Sequence, residues 1–250
     1  MSNIWALFRR ELQAYFASPI GYVPLALFLF FYGFYFYGEL EIFTDPRRAS
    51  PGQVLNVNQD MIRWLLHTTA FIILFLLPLV TMRSFAEELR SGTIELLFTS
   101  PLTDLQIVLG KFFGALALYV IMLGSTLVHI GILFYFGDPE WKPIVVGYLG
   151  LFLLGAGYIA FGLLFSSMTK NQIIAGFMAF NLFVFLYLIE FAESWGGWAA
   201  SVVPYLSVSR HLAGFAKGVL DTRDIVYYLS FIGFGLFLTK QSIESYRWRG

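Results

Sequence analysis

The chain has 250 residues, of which 58% are hydrophobic and only 13% are charged, and its formal net charge is zero. Soluble domains carry roughly a quarter charged residues, so this composition, with a mean hydropathy of +0.71, indicates a polytopic membrane protein. A neutral chain gives no electrostatic basis for binding nucleic acid. Cysteine is absent, which excludes disulfides and thiolate metal sites.

Motifs for metal binding and for nucleotide binding are not found in the sequence. His67, His129 and His211 are widely separated and show no ligand spacing. Gly110-Lys111 is followed by Phe112, and no Gly-x-x-x-x-Gly-Lys-Ser/Thr occurs, so this chain does not itself hold ATP in a P-loop. We therefore expect no catalytic residue, no metal and no cofactor on this chain.

Hydropathy predicts an all-α membrane protein that forms one domain over residues 1–250. Residues 1–18 carry apolar side chains at spacings of one, three and four with arginines between them, which is typical of an amphipathic helix in the membrane interface. Six apolar stretches of about the length that crosses a bilayer follow. They are residues 20–38, 64–82, 112–136, 144–165, 173–191 and 225–240.

Six spans place both ends of the chain on the same side of the membrane. The first span is followed by Glu39 and Glu41 rather than by an Ala-x-Ala cleavage site, so we expect it to remain uncleaved. Lysine and arginine are slightly more frequent on the side that holds both ends. This bias favours cytoplasmic termini.

The segment between the fifth and sixth spans, residues 192–224, is too polar to cross the membrane in a simple way. Its first part is rich in tryptophan and glycine, and we interpret it as re-entrant. Its second part has apolar residues at helical spacing opposite polar ones, which predicts a helix lying on the membrane surface. The apolar residues are Val208, Leu212, Phe215 and Val219.

The longest polar-punctuated stretch between two apolar runs is residues 83–111. Ser84 with Glu87, three residues later, forms a capping-box pattern that predicts the start of a short helix near Phe85. Gly92 is a natural stop for that helix, since glycine readily adopts the left-handed conformation found at helix ends.

A second short helical piece follows Gly92 and is broken at Ser100-Pro101, because proline disfavours helical geometry in the residue before it. Thr103 with Gln106 repeats the capping-box pattern and opens a helix that continues into the third span. The sequence therefore predicts two short helical pieces folded beneath the mouth of a membrane helix.

Glu87, Glu88 and Glu95 in this stretch allow three interpretations: an acid–base site, a solvated face or a docking face. No histidine, serine nucleophile or metal ligand accompanies them, which argues against catalysis. We expect exposed carboxylates that dock against another protein, with plain solvation as the alternative.

Polar residues within the spans have structural as well as functional interpretations. Glu190 could carry a proton, but its position near the Trp195 belt favours the membrane interface. Asn181 lies mid-span and is expected to bond to another helix. Ser125 and His129 lack a nucleophile elbow, so we expect a helix contact there rather than a protease site.

Small residues four apart let helix backbones approach closely. Such pairs are common in membrane helices, and each is weak evidence by itself. The chain has three of them: Gly110 and Gly114, Ala156 and Ala160, and Ala175 and Ala179.

Residues 83–111 contain four features in a fixed order, which read Glu87-Glu88, Gly92-Thr93-Ile94-Glu95, Ser100-Pro101-Leu102 and Gly110-Lys111. This order resembles the cytoplasmic stretch between the second and third spans in membrane subunits of type-2 ABC transporters. Thr169-Lys170-Asn171-Gln172, before the fifth span, and the long segment before the sixth extend the resemblance over nearly the whole chain. Ser18-Pro19-Ile20-Gly21-Tyr22 and residues 78–85 look closest to the gliding-motility-associated, GldF-like branch.

The resemblance implies a permease that pairs with a second copy or a paralogue, each above a separate ATP-binding subunit that holds ATP and Mg²⁺. Residues 85–98 would be the coupling helix seated in a cleft of that ATPase, and residues 192–220 would form an outer gate. The residues implied in coupling are Arg83, Glu87, Glu88, Arg90, Gly92, Thr93, Ile94, Glu95, Leu96, Leu97, Pro101 and Lys111. Thr169, Lys170, Asn171 and Gln172 would form the second cytoplasmic loop, and the outer-gate candidates are Glu190, Trp195 and Pro204.

By the same resemblance, the chain would couple ATP hydrolysis to export or movement of a substrate across the bacterial inner membrane. Spans almost free of charge favour a lipid-like or envelope-related substrate. The alternative is a non-transporting anchor that transmits force for an ATPase in an envelope or gliding-motility complex. An extracytoplasmic GldG-like auxiliary protein and membrane lipids are the further partners that the resemblance implies.

Overall fold

The computed structural model describes residues 3–44, 56–136, 139–191 and 203–247, and these residues are almost entirely helical, with no strand among them. A π-helical turn (Val57–Ile62) precedes α3, and a 3-10 turn (Val203–Leu206) precedes α9. The α-helices are α1 (Asn3–Phe16), α2 (Pro19–Thr44), α3 (Arg63–Thr81), α4 (Ala86–Ser91), α5 (Ile94–Thr99), α6 (Asp104–Phe136), α7 (Trp141–Met168), α8 (Gln172–Leu188), α9 (Val208–Ala216) and α10 (Thr222–Arg247).

Five helical segments in the described part of the chain are long and apolar enough to cross a membrane. They contain five of the six predicted spans: Pro19–Thr44, Asp60–Ser91, Asp104–Phe136, Trp141–Met168 and Gln172–Phe191. The sixth predicted span lies inside α10, which is not among them. Helix α10 is less apolar than the other five, because its uncharged stretch between Asp224 and Lys240 is short and both of its ends are polar.

Helix α7 lies at the centre of the bundle and packs against α3, α6, α8, α9 and α10. Helix α10 runs parallel to it for most of its length. A Cβ added at Gly157 would meet Phe231, and one added at Gly235 would meet Ala160. Further along, Ser167 Oγ lies 2.9 Å from Ser242 Oγ. Thus α10 extends from one end of the bundle to the other.

One end of this bundle carries α1, α4 and α5 together with the last turn of α10, and we call it the α4–α5 end. The other end, the α9 end, carries α9 and the link between α6 and α7. Arg247 in the last turn of α10 pairs with Asp104 at the start of α6, at 3.1 Å. Both ends of the described chain therefore lie at the α4–α5 end.

Two helices are longer than the predicted spans. The capping box at the start of α6 is confirmed: Thr103 N donates to Gln106 Oε1 at 3.1 Å, and Gln106 N donates to Thr103 Oγ1 at 3.3 Å. Helix α6 therefore begins at Asp104, about two turns before the third apolar stretch. Helix α2 continues to Thr44, so Glu39 and Glu41, which follow the first predicted span, lie inside the helix.

The expectation of close packing at small residues is confirmed. A Cβ added at Gly110 would lie 2.6 Å from Leu7 Cδ2, and one at Gly114 would lie 2.7 Å from Glu11 Cβ. These glycines let α1 lie directly against the first turns of α6. The alanine pairs of α7 and α8 are buried as well: Ala156, Ala160, Ala175 and Ala179.

Two polar residues in the middle of helices, His129 and Asn181, make different kinds of contact. His129 packs against the rings of Tyr32 and Phe36, with centroids 5.0 and 4.9 Å away, which confirms a helix contact. Asn181 is exposed, and its side-chain amide donates to Phe177 O in its own helix at 2.7 Å. Within the described chain Asn181 thus bonds to its own helix, because it lies on the outer face of α8, and the expected bond to another helix stays a prediction.

The predicted helix after the fifth span is present as α9, and it buries Val208, Leu212 and Phe215 against the bundle. Val219 does not continue this face, since it follows the helix and is 55% exposed. Gly218 turns the chain after α9 with φ of +78°, a conformation that glycine adopts readily. The segment interpreted as re-entrant begins at residue 192 and lies mostly outside the described residues.

Candidate functional site

Helices α4 and α5 form a short hairpin, which we call the α4–α5 hairpin. Helix α4 ends at Gly92, whose φ of +74° confirms the predicted glycine stop. Helix α5 ends at Ser100, whose ψ of 156° is extended, as expected for a residue before proline. The hairpin is thus defined locally, by one glycine and one proline.

The start of α4 is held by a residue that is far away in the sequence. Ser84 was predicted to cap this helix, and that prediction is wrong, because its Oγ accepts no backbone hydrogen bond. Instead, the amides of Phe85 and Ala86 donate to Ser166 Oγ on α7, at 2.9 and 3.1 Å. Ser166 Oγ in turn donates to Met82 O at 2.9 Å. One hydroxyl of α7 therefore joins the end of α3 to the start of α4.

A buried lysine ties the hairpin to α1 and α6. Lys111 on α6 is only 2% exposed, and its Nζ lies 2.9 Å from Glu88 Oε1 and 3.0 Å from Glu11 Oε1. Arg10 Nη2 approaches the same Glu88 oxygen at 3.1 Å. The Lys111 ammonium also lies 5.1 Å from the centre of the Phe85 ring. We call these residues the Lys111 cluster.

The Lys111 cluster corrects the expectation for Glu88. Its side chain is only 16% exposed and pairs with two cations, so Glu88 is not a free docking carboxylate. Glu87 is exposed as expected, at 52%, although it also pairs with Arg83 at 3.4 Å. Adjacent glutamates differ because neighbours along a helix point in directions about 100° apart.

The outer surface of the hairpin is exposed and mixed in character. Leu96 is the most exposed apolar side chain on it, at 70%, while Ile94 and Leu97 are buried beneath. The other exposed residues that the sequence singled out are Arg90, Gly92, Thr93, Glu95 and Pro101. The outer surface of the hairpin is therefore charged, with one exposed leucine among the charges.

Two cavities lie between the hairpin and α1. One, of about 260 Å³, is lined by the charged residues of the Lys111 cluster together with Arg83, Ser84 and Thr93. The other, of about 540 Å³, is a groove with Leu96 and Leu97 on one wall and Ala6 and Leu7 on the other. Helix α1 therefore borders the surface that the hairpin presents.

Tyr15 closes the inner side of this region. Its hydroxyl donates to Val80 O near the end of α3, at 3.2 Å. Burial raises the pKa of Tyr15 to about 12, and the nearby Glu11 acts in the same direction. The phenol is therefore neutral at physiological pH and serves as a hydrogen-bond donor.

The predicted second loop connects α7 and α8 at the same end of the bundle. Asn171 caps α8, since its Oδ1 accepts from the amides of Ile173 and Ile174 at 2.9 and 3.4 Å. Thr169 Oγ1 accepts from Asn171 N at 3.1 Å. Lys170 is exposed and Gln172 is half-buried. The loop is thus close to the hairpin, and its asparagine has a structural role.

Several residues of this region were missed by the sequence analysis. Arg247 at the end of α10 lies with its guanidinium 5.3 Å from the centre of the Phe98 ring and 3.1 Å from Asp104. Ser166 and Glu11 were missed as well. Only their side-chain contacts with residues far away in the sequence distinguish them, so no local pattern could have found them.

Two of the three outer-gate candidates, Glu190 and Pro204, lie at the α9 end of the bundle. Glu190 is half-buried just beyond α8. Trp195 lies outside the described residues, and Pro204 falls in the 3-10 turn before α9. The structure therefore places Glu190 and Pro204 at the end of the bundle opposite the hairpin.

Residues 5–203 match the family model described as ABC-2 family transporter protein. This chain belongs to the ABC-2 family. With five helices of spanning length and composition, the ABC-2 chain is a multi-pass membrane protein.

Curated relatives of the ABC-2 chain come from Escherichia coli strain K12 and from Escherichia coli O157:H7. Each is described as the probable multidrug ABC transporter permease YbhR, and each is 30% identical over 157 residues. The match covers 60% of this ABC-2 chain and 42% of each relative. The chain therefore spans less than half the length of these curated relatives.

Proposed function

We propose that this chain is the membrane permease subunit of an ABC transporter and that the α4–α5 hairpin is where a separate ATP-binding subunit acts on it. The observation that carries the proposal is the combination of a hairpin fixed to the bundle on its inner side and exposed on its outer side. Membership in the ABC-2 family supports the proposal.

The fixed side of the hairpin offers a path for force. The start of α4 is bonded to α7 through Ser166, and Glu88 is paired with α6 through Lys111. Phe98 near the end of α5 lies against Arg247 of α10. A displacement of the hairpin is therefore passed to three long helices rather than absorbed by a loose loop.

The proposed topology has six spans with both termini cytoplasmic. Helix α10 follows α7 from the α9 end to the α4–α5 end, and this course supports a sixth crossing. The exposed charges of the hairpin and Lys170 lie at the same end as both termini. The proposed location is a bacterial inner membrane, where an ATPase in the cytoplasm would meet this face.

A second copy, or a paralogue, would pair along α8. Asn181 is a polar residue in the middle of an apolar helix, and it is exposed between Phe177 and Phe185, themselves 65% and 57% exposed. Polar side chains within spans usually face protein rather than lipid. The outer face of α8 is therefore the surface that we assign to the partner copy.

The substrate is proposed to be apolar or lipid-like. Among the charged residues that the structure describes, Lys111 alone is fully buried, and it lies near the hairpin rather than along the bundle. The described residues of a single copy therefore form no charged path for a hydrophilic solute. The multidrug description of the curated relatives is compatible with an apolar substrate.

The proposed placement within the ABC-2 family rests on sequence motifs. Ser18-Pro19-Ile20-Gly21-Tyr22 supports the GldF-like branch, and with it a GldG-like auxiliary partner and an outer gate formed by residues 192–220. The alternative function is a membrane anchor that transmits force without transport. The short apolar bundle with its rigid hairpin suits that role as well.

The test is co-purification of the chain with the ATP-binding subunit encoded beside it, followed by ATP turnover in lipid vesicles. Glu95→Arg with Leu96→Asp changes only exposed residues of the hairpin, so we expect a folded chain that loses most ATPase binding. Glu88 is unsuitable for this purpose, since its reversal would place a further cation beside Lys111 and Arg10.

The matched control is Glu140→Arg, an exposed charge reversal at the start of α7, at the opposite end of the bundle. Normal ATPase association in the hairpin variant would show that the hairpin is not the contact. ATP-dependent movement of a fluorescent phospholipid between leaflets separates transport from anchoring, because an anchor complex would hydrolyse ATP without moving the lipid.

A further inference from the structure

His211 on α9 is held from both sides of its ring. Nδ1 lies 2.6 Å from Asp224 Oδ1, and Nε2 lies 3.0 Å from Tyr205 O. The ring stacks on Tyr227 with centroids 3.8 Å apart and an interplanar angle of 19°. The side chain of His211 is only 11% exposed and that of Asp224 is 17% exposed.

The hydrogen-bond partners of His211 indicate its protonation state. A carboxylate and a backbone carbonyl can only accept hydrogen bonds, so both nitrogens of His211 must donate. Neutral imidazole has one N–H, and only the imidazolium has two. The Tyr227 face beneath the ring is also a favourable neighbour for a cation. The arrangement around His211 is therefore complete only when the ring is charged.

The ring joins three parts of the chain at the α9 end. Tyr205 belongs to the 3-10 turn, His211 to α9 and Asp224 to the first turn of α10. Two hydrogen bonds run beside it, from Tyr227 Oη to Leu206 O at 2.7 Å and from Tyr228 Oη to Val208 O at 2.8 Å. His211 thus supplies the charged part of a larger contact between α9 and α10.

The approach of α9 to α10 is close at this point. A Cβ added at Gly214 would lie 2.8 Å from Asp224 Oδ2, so the helix backbone itself borders the carboxylate. Loss of the His211 bond to Asp224 would leave an unpaired polar group in a tightly packed contact. Such groups are costly because they lose their hydration without a replacement partner.

The other ionisable groups near this contact include a second histidine, His67 on α3. Helix α10 contributes Asp224, Tyr227 and Tyr228, and aspartate and tyrosine ordinarily titrate near pH 4 and pH 10. On α9, the Arg210 guanidinium lies 4.9 Å from the centre of the Tyr205 ring, and arginine stays charged. On α3, His67 interacts electrostatically with Arg63, with Glu190 at the end of α8 and with Lys217 after α9.

We propose that His211 and Asp224 form a proton-controlled clasp, which fixes α9 and the preceding turn to α10 when His211 is protonated and loosens them when it is not. The clasp gives the permease a pH-sensitive element at the end opposite the ATPase contact. Since histidine changes charge between pH 5 and 8, the closed form is the low-pH form. The bond to one acceptor is lost as the pH rises.

The first measurement is nuclear magnetic resonance of the chain with carbon-13-labelled histidine in detergent micelles. The chain has three histidines, so His67→Gln and His129→Gln assign the remaining signal. We expect the His211 signal at about pH 5 to be that of an imidazolium. A neutral His211 ring at that pH would overturn the proposal.

The second measurement is hydrogen–deuterium exchange of the backbone amides in residues 205–216, corrected for the intrinsic pH dependence of exchange. Between about pH 5 and pH 8.5, we expect exchange in the wild-type chain to rise about fivefold, the factor that corresponds to one lost hydrogen bond of roughly 1 kcal/mol. His211→Gln and Asp224→Asn should remove this pH dependence, and His129→Gln should retain it.

Exchange that rises equally in His211→Gln and in the wild-type chain would show that another group controls the contact, and would contradict the clasp. Neither measurement requires an ATPase or a substrate. Failure of the clasp therefore leaves the proposed permease function untouched, and failure of ATPase binding leaves the clasp untouched.

Discussion

Lys111 Nζ lies 2.9 Å from Glu88 Oε1, and this contact joins the first of the two hairpin helices to the base of α6. The lysine is nearly fully buried and also pairs with Glu11 of α1 at 3.0 Å. Three elements that are separate in the sequence thus meet at one ammonium group. The hairpin is a fixed part of the bundle because of this group and the hydroxyl of Ser166.

Lys111→Met should destabilise the chain. The change leaves Glu11 and Glu88 without their main cation in a largely buried site, and removal of one partner from a buried ion pair costs about 3 kcal/mol or more. Thermal or denaturant unfolding followed by tryptophan fluorescence measures the effect. The variant Lys111→Met with Glu11→Gln and Glu88→Gln should recover part of the loss. No recovery would mean that the carboxylates are not what the lysine stabilises.

Ser166→Ala should weaken the start of α4. The amides of Phe85 and Ala86 would lose their acceptor, which costs roughly 1–2 kcal/mol for a helix cap. Ser84→Ala is the matched control, since Ser84 Oγ accepts no backbone amide and its removal should be nearly neutral. Protease cleavage within the hairpin reports the local opening. A larger effect of Ser84→Ala than of Ser166→Ala would restore the original capping-box interpretation.

Under the proposed pairing of two copies along α8, Asn181→Leu should shift the chain from dimer to monomer. Replacing the amide by an apolar side chain removes the hydrogen bonds that a facing helix can make, which are worth about 1 kcal/mol each in membrane proteins. Two symmetric contacts would reduce the dimer association constant by about tenfold or more. Single-molecule photobleaching or size-exclusion with light scattering measures the distribution. Ser230→Leu on the exposed face of α10 is the control, and an equal effect there would argue against α8 as the interface.

Tyr15 should contribute to the alkaline unfolding of the chain. Its pKa is raised to about 12, so the folded chain favours the neutral phenol, and the contribution is fully present below about pH 10 and is lost as the pH rises through about 12. Tyr15→Phe should reduce the alkaline loss of stability by about 2–3 kcal/mol, because each pKa unit corresponds to roughly 1.4 kcal/mol.

Unfolding measured at a series of alkaline pH values tests this prediction for Tyr15. Tyr135→Phe serves as the control, since Tyr135 is 80% exposed and its replacement should leave the pH profile unchanged. Identical profiles for Tyr15→Phe and the wild-type chain would contradict the contribution of Tyr15.

The sequence alone determined the helical class, five of the helical segments of spanning length and the local shape of the hairpin. Each of these features depends on residues that lie close together in the sequence. Apolar runs mark the spans, Gly92 supplies the positive φ, and Thr103 with Gln106 forms a capping box within three residues. The motif order in residues 83–111 also indicated the family that the comparison identified.

Only the tertiary structure decided which polar groups are free and which are engaged. Phe85 and Ser166 are 81 residues apart, and Lys111 and Glu11 are 100 residues apart. Local patterns therefore could not show that Ser166 rather than Ser84 caps α4. They also could not show that Glu88 is buried in an ion pair while Glu87 is exposed. A buried charge or hydroxyl needs a partner, and which residue supplies it depends on how the helices pack rather than on spacing along the chain.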